Sequence, residues 1–440
     1  MSTEIGIERK LAEVFGVARG TPLTYVSRSY VDNLFINSLS RDKHIVVYGG
    51  SKQGKTSLRK QTLQEDDYIV VQCGNTTTRA QIYEIILKHA GAHVTTTAKN
   101  TTAGTLKFDV TISAKGKVPL IAEASGTGAG SHQKTTTTEV AETQFEIDPS
   151  DPNDVTRVLK SADFKKYVIL EDFHYLSEEV QREIAFDLKA FHEKSEIVFI
   201  VVGVWLESNK LVLYNGDLAG RLVPVDADRW DPEDLTSVIS AGEALLNIAF
   251  PPKVKTEILL RCQKNIGVLQ ETCYRLCEKA GIWRTQPTKT NVGSVEEVDD
   301  IIHDIGTEQA GRYQKFLEDF SEGLNKTELE MYKWIAYVAI TAEPDDLKRG
   351  LKLASIFRVL NEVHPTRKGQ LLQNNVSQAL AKIGKLQHKN HVKPTILDFD
   401  TSENRLRVTD SGFILYLMTQ ERSVLLETIG VDPTTISPQE

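Results

Sequence analysis

Apolar residues are not spread evenly along this chain. In its first half they gather into five short, β-branched runs: HIVVY (44–48), YIVVQC (68–73), YVIL (167–170), IVFIVV (197–202) and LVPV (222–225). Continuous rather than alternating hydrophobicity is what a strand buried on both faces requires, as in a parallel sheet covered by helices. The stretches TRAQIYEIILKHAG and SEEVQREIAFDLKAFHEK place apolar residues at helical spacing between those runs. Strands alternating with helices predict an α/β unit with a parallel sheet over residues 1–230.

One segment breaks the rhythm. Residues 93–150 are Thr-rich, and TLKFDVTIS and TEVAETQFEI alternate with a period of two, predicting a β-rich insertion of two or three strands with glycine turns. SGTGAGSHQKTTTT is expected to be a mobile tip, and the insertion reads as decoration of the core, with a partner- or DNA-contacting arm as the alternative. Residues 231–285 are helical throughout and predict a lid. RTQPTKTNVGS reads as a linker and VEEVDDIIHDIGTEQAGRYQKFLEDFSEG as one connecting helix, together 286–326. Over 327–425, three helical patterns precede two strands around the turn TSEN and a closing helix. That is the element order of a winged helix-turn-helix, with 426–440 left as a tail.

The chemistry begins where the first strand stops. HIVVY runs into Gly49, Gly50, Ser51, Lys52, Gln53, Gly54, Lys55, Thr56 and Ser57, which spell G-x-x-x-x-G-K-T between a strand and a helix. Glycines let successive backbone N–H groups turn toward phosphate oxygens, and the helix dipole adds positive potential. Lys55 is placed for the β- and γ-phosphates, and the Thr56 hydroxyl for Mg2+. A second strand ending in acid should complete the site, and YVIL is followed by Glu171 and Asp172. The first acid is assigned with Thr56 to the metal and the second to the attacking water. The usual order is Asp then Glu; the shorter Asp172 reaches less far, so slow hydrolysis is expected. After the next strand, Val204 and Trp205 offer no polar sensor, leaving Glu207, Ser208 or Asn209 to serve. Arg221 precedes the fifth run, where an arginine can reach a neighbouring subunit's γ-phosphate or form a structural ion pair.

With 440 residues, 40% hydrophobic and 25% charged, the chain is expected to be soluble and multidomain. No apolar run is long enough for a membrane span, and the N-terminus lacks a secretory apolar core, so a cytoplasmic protein is expected. Four cysteines make no disulfide framework and complete no zinc pattern. A net charge of −8 argues against general coating of nucleic acid, but the charge is uneven. Between Pro365 and Pro394 lie Arg367, Lys368, Lys382, Lys385, Lys389 and Lys393 and no acid. With Asn374, Asn375, Ser377 and Gln378 at the start of the third predicted helix, this suits phosphate anchoring with base contact. Lys382, Lys385 and Lys389 recur at three- and four-residue steps, sharing one helical face. Winged helices also serve protein contacts and autoinhibition, so duplex DNA is one of two partner classes.

PLTYVSR, YGGSKQGKTSL, YVILEDFHYL, GRLVPV and the helical lid together resemble an AAA+-type P-loop ATPase of the initiator (origin-recognition-like)/STAND-related branch, over about residues 20–285. The resemblance implies ATP and Mg2+ as cofactors, homo-oligomers, and packing of Tyr25, Val26 and Arg28 on the adenine base. Two departures stand out: KNIGVLQ in the lid lacks the branch's proline and sensor arginine, which favours a switch over a motor. A role in mobile-element or phage-defence biology follows from the resemblance alone. No nuclease, protease or TIR-like motif is visible, so any effector would be a separate protein. The rival reading is a signalling switch or adaptor working through protein contacts without DNA.

Overall fold

The computed structural model describes residues 8–16, 20–97, 107–113, 142–205, 209–325 and 327–433. The expected glycine- and threonine-rich tip of the insertion lies outside the described residues, as do Glu207 and Ser208.

The five apolar runs become β1 (His44–Tyr48), β2 (Tyr68–Gln72), β6 (Tyr167–Glu171), β7 (Phe199–Val202) and β8 (Leu222–Asp226), separated in sequence by β3 (Ala92–Thr97), β4 (Lys107–Ser113) and β5 (Glu142–Ile147). The five form one sheet in the order β2-β6-β7-β1-β8, and every pair within it is parallel. Why the runs are continuously apolar is plain from the packing. Val46, Val71, Val168, Leu170 and Val201 enter one hydrophobic cluster; Ile45, Val47, Ile169, Ile200 and Val202 enter another on the opposite face. Along the central strands β1, β6 and β7 neither face is open to water, so neither position in the two-residue repeat can be polar. The strand order matters for the site: β7 separates the acid-bearing strand β6 from β1.

The insertion is a three-stranded antiparallel sheet in the order β3-β4-β5. Phe108, Val110 and Ile147 join the cluster that covers the core sheet, so it is anchored rather than free-standing.

The lid consists of helices Pro232–Leu246, Pro252–Arg261 and Ile266–Lys279. Leu11, Val14 and Phe15 from the N-terminal segment pack into its core. The stretch read as a linker is packed structure: Thr290–Asn291 pairs parallel with Ile248–Ala249, and Val292 is buried. The expected connecting helix is two helices, Val295–Thr307 and Ala310–Glu322. Val298, Ile301 and Ile302 of the first face the lid cluster, whereas Tyr313, Phe316, Leu317 and Phe320 of the second enter the C-terminal cluster. The break lets two apolar stripes serve two cores, which one straight helix could not do.

The C-terminal unit contains helices Met331–Thr341, Leu353–Val363, Gln373–Ala381 and Ile383–Lys389, then strands Leu397–Asp400 and Arg405–Val408, and helices Ser411–Thr419 and Arg422–Thr428. The two strands pair antiparallel and Leu351–Lys352 adds a third at the edge. The third predicted helix is interrupted: Lys382, with φ −101° and ψ 3°, ends one segment and starts the next. The three lysines therefore do not ride on one continuous helix. The expected tail also belongs to this core, through Leu426, Ile429 and Val431. No helix among the described residues is long and apolar enough to cross a membrane. All four cysteines are buried and unbonded.

Candidate nucleotide site

The loop after β1 is shaped by residues with left-handed backbone. Gly49, Lys52 and Gly54 have φ of 139°, 61° and 82°. A Cβ at Gly49 would stand 2.7 Å from the Asp228 carboxylate oxygen, so only glycine fits there. Asp228, just beyond β8, accepts the Gly50 N–H at 2.7 Å and pins the start of the loop. Burial and the neighbouring Asp226 push its carboxyl up to about 6, while Lys55 pulls the other way. Helix Lys55–Thr62 follows directly, anchored by the buried Leu58, with its first free N–H groups opening toward the loop. The Lys55 ammonium donates to the carbonyls of Gly49 (3.1 Å) and Gly50 (2.6 Å). Burial lowers its pKa, against the pull of Asp228, Glu171 and Asp172.

Glu171 ends β6 and meets this helix. Its Oε1 accepts from the Thr56 hydroxyl at 3.4 Å, and its Oε2 lies 3.6 Å from Arg59 Nε without a hydrogen bond. Burial raises its pKa, Arg59 opposes, and Asp172 adds to the rise. The two residues assigned to the metal are thus adjacent. Asp172 adopts a left-handed conformation (φ 57°), and its Oδ2 accepts from Gln72 Nε2, at the end of β2, at 2.6 Å.

Where a polar sensor would follow β7, the structure supplies something else. The Val204 N–H donates to Nδ1 of His174, three residues past Glu171, so the neutral ring carries its proton on Nε2. That nitrogen is buried without a partner, and burial, then Lys55, holds the imidazole down to about 3. Trp205 is buried, and a Cβ at Gly203 would collide with its ring at 1.6 Å. Asn209 precedes helix Lys210–Tyr214 and does not line the cavity described next.

A cavity of about 680 Å³ runs along Ser51–Ser57 and reaches Glu171 and Asp172. Tyr25, Val26 and Arg28 line it. Arg28, however, is committed to the wall. Its guanidinium lies 4.3 Å over the Trp230 ring, donates to the Ala227 carbonyl at 2.8 Å and sits 3.7 Å from Asp32, to which the Tyr25 hydroxyl also donates.

Arg221 is elsewhere. β8 runs parallel to β1 with His44 opposite Leu222 and Tyr48 opposite Asp226, so Arg221 lies at the sheet end away from the loop. There it pairs with Glu193 at 2.9 Å and donates to the Asp217 carbonyl.

The basic residues of the C-terminal unit are also separate from the cavity. Arg367, Lys368, Asn374, Gln378, Lys382, Lys385, Lys389 and Lys393 are exposed, with Asn375 and Ser377 half-buried among them. Three are already engaged: Lys389 donates to the Leu324 carbonyl at 3.1 Å, Lys393 lies 5.8 Å from the Tyr175 ring, and Arg367 lies 3.9 Å from the Glu328 carboxylate.

Several site residues escaped sequence reasoning. Asp228 and Trp230 follow β8 in DADRW, where an acid two residues past a strand carries no motif. Asn265 and Gly267 of the lid and Arg312, Asp410 and Ser411 of the C-terminal unit also line the cavity. Nothing local in the sequence marks them, because their neighbours are distant in the chain.

No protein-family model matches the sequence, and no curated protein matches it. Among solved structures, a Walker-type ATPase of Pyrococcus abyssi is similar at 13% identity and a TM-score of 0.49, over 92% of this chain and 99% of that one. The Aeropyrum pernix Orc1 protein in complex with DNA is similar at 11% and 0.42, over 97% of each chain. The Thermotoga maritima RuvB Holliday junction branch migration motor follows at 11% and 0.36, over 88% and 94%. Likenesses this distant assign no activity, and the chemistry rests on the site's own residues.

Proposed function

We propose that the chain is an AAA+-type ATPase of the initiator/STAND-related kind that binds Mg·ATP, hydrolyses it slowly and acts as a nucleotide-dependent oligomer. One observation carries this reading: Lys55, Thr56, Glu171 and Asp172 line a single cavity beside a glycine-shaped loop, although Thr56 and Glu171 are 115 residues apart. The residues fit the cofactor. Positive-φ positions and free helix N–H groups make an anion cradle. Thr56 and the undonated Glu171 Oε2 make an all-oxygen donor set of the sort Mg2+ takes. Bound Mg·ATP would supply the electrophilic phosphorus and the charge neutralisation for phosphoryl transfer. Around it, Lys55 holds phosphate charge, Thr56 and Glu171 hold the metal, and Asp172 orients water. Gln72 occupies one Asp172 oxygen, and the aspartate is short, so slow turnover is expected. Arg221 cannot serve its own site from the far end of the sheet, which supports action on a neighbouring subunit.

The helices and edge strands at 331–408 support a winged-helix reading, and the exposed cluster from Arg367 to Lys389 supports contact with duplex DNA through its phosphates. A second reading also has an observation in its favour. The C-terminal unit contributes part of the cavity wall, as expected of a switch that reports nucleotide state to a protein partner. The mobile-element or defence setting, with a separate effector, rests on the family resemblance alone. Titration of the full chain with ATP, with and without Mg2+, together with a phosphate-release assay, tests the core reading. Micromolar Mg-dependent binding that is lost in Lys55→Ala is expected; no binding by the wild type overturns it.

A further inference from the structure

The Mg·ATP reading leaves the cavity arginine Arg312 without a task. Among the described residues, four cations line the cavity: Arg28, Lys52, Lys55 and Arg312. Lys55 belongs to the phosphate loop, Lys52 is an exposed loop residue, and the Arg28 guanidinium is buried in the wall, stacked on Trp230 beside Asp32, with one hydrogen bond to the Ala227 carbonyl and an unpartnered Nε. Arg312 comes from beyond the lid, on helix Ala310–Glu322. Its partners are close at hand: Asp410 Oδ2 at 2.8 Å, Gln309 Oε1 at 2.9 Å and the Pro394 carbonyl at 3.1 Å. Three hydrogen bonds leave spare donor capacity on a group with five N–H donors.

The Arg312–Asp410 pair does not dock one unit on another, because both residues belong to the C-terminal side. Docking is done by other contacts. The Asn265 amide of the lid donates to the Ser411 hydroxyl, and the Thr409 carbonyl packs so closely on the phosphate loop that a Cβ at Gly50 would be 3.3 Å away. Those contacts hold Arg312 over the cavity. Asp410, for its part, keeps a partner if Arg312 leaves, since its Oδ1 accepts the Gly412 N–H at 3.1 Å and caps helix Ser411–Thr419. Asp410 therefore retains a hydrogen bond when the pair opens. A triphosphate carries about one more negative charge than a diphosphate and demands one more cation.

We propose that Arg312 is a ligand for the terminal phosphate of the triphosphate, exchanging Asp410 for it, so that the C-terminal unit itself distinguishes ATP from ADP. This rests on the Mg·ATP reading of the cavity. It assigns to a helix beyond the lid the discrimination for which the lid offers no arginine.

The test is calorimetric titration of the full chain with Mg·ADP and with the non-hydrolysable triphosphate AMP-PNP. Loss of a charge-assisted contact predicts that Arg312→Ala weakens AMP-PNP binding about tenfold to a hundredfold and leaves ADP binding unchanged. Asp410→Asn, which frees the arginine, should bind AMP-PNP at least as tightly as wild type. Lys55→Ala should weaken both nucleotides. If Arg312→Ala folds poorly, Arg312→Gln, which retains neutral donors to Asp410 and Pro394, carries the same prediction. Equal losses for both nucleotides, or no loss for either, overturn the assignment while the site stands. Failure of the wild type to bind either nucleotide overturns the site itself.

Discussion

The two ends of the central sheet bury polar groups in opposite ways. At the loop end, charged groups are held against one another and some polar atoms lack partners. Lys55 is pulled down and Glu171 up by burial, and Glu171 Oε2, Gln53 Oε1 and His174 Nε2 have no hydrogen bond. At the other end, the buried side-chain polar atoms among the described residues have partners. His44 begins β1 with Nε2 donating to the Leu188 carbonyl at 2.8 Å and Nδ1 accepting the Phe199 N–H at 3.1 Å. Tyr167 donates to the Leu39 carbonyl at 3.0 Å, and Arg221 has Glu193. Parallel strands put all their carboxyl ends on one side, where ligands bind in open α/β sheets. The contrast shows how to separate a binding end from a structural end: count the buried polar atoms the fold leaves unanswered.

The largest effect on nucleotide affinity should come from Lys55→Ala, which removes the cradle's charge along with its hydrogen bonds to the Gly49 and Gly50 carbonyls. Nucleotide affinity should fall by at least about a hundredfold, with thermal unfolding little changed. Retained affinity would erase the distinction between the ends.

Arg221 can break the comparison from the other side. If the structural end of one subunit completes the binding end of the next, Arg221→Ala should lower turnover about a thousandfold without altering nucleotide affinity. Mixing Arg221→Ala with Lys55→Ala subunits should then restore activity, because each supplies what the other lacks. Turnover indifferent to mixing and to protein concentration makes Arg221 the partner of Glu193 and nothing more.

Within the binding end, Asp172→Asn should keep Mg·ATP binding and slow hydrolysis about a hundredfold or more. Glu171→Gln should instead weaken the Mg2+ dependence of binding. Reversed phenotypes would exchange the two roles.

The structural end should show itself in acid. Burial holds the His44 imidazole down to about 4, against about 6.5 in an unfolded chain. The unfolded state therefore takes up protons first. His44 contributes fully above pH 6.5, and that stability, at most about 3 kcal/mol, drains away as pH falls toward 4. Asp228, pushed up to about 6, acts with the opposite sign and costs stability as pH rises from about 4 to 6. Urea unfolding of wild type, His44→Gln and Asp228→Asn at pH 7, 5.5 and 4.5 separates the two. An unchanged acid slope in His44→Gln would remove His44 from this account.

The smallest effect is expected at the basic surface, where charges face solvent. Neutralising Lys382, Lys385 and Lys389 should lower the salt slope of duplex binding by about 0.9 per lost contact. Lys389 should contribute least, since its ammonium already serves the Leu324 carbonyl. Fluorescence anisotropy with labelled duplex at two salt concentrations measures this, and absence of salt-sensitive binding favours the protein-contact reading.

What the sequence determined by itself was whatever depends on neighbours along the chain. Five apolar runs specify strands because a strand buried on both faces has no tolerance for polar residues. G-x-x-x-x-G-K-T between strand and helix specifies the cradle, since its geometry comes from consecutive φ and ψ angles and the adjoining helix end. The acid pair after YVIL is legible for the same reason. Tertiary structure alone decided which strands adjoin, and so that Glu171 meets Thr56 and Arg59. It alone brought Asp228 beneath the loop, and it alone divided an apparently single helix between two cores and broke another at Lys382. Periodicity shows that a face is apolar and is silent about what covers it. Arg312 is the sharpest instance: in sequence it is one arginine on an amphipathic helix, and only the packing of the C-terminal unit on the lid and loop makes it line the same cavity as Lys55.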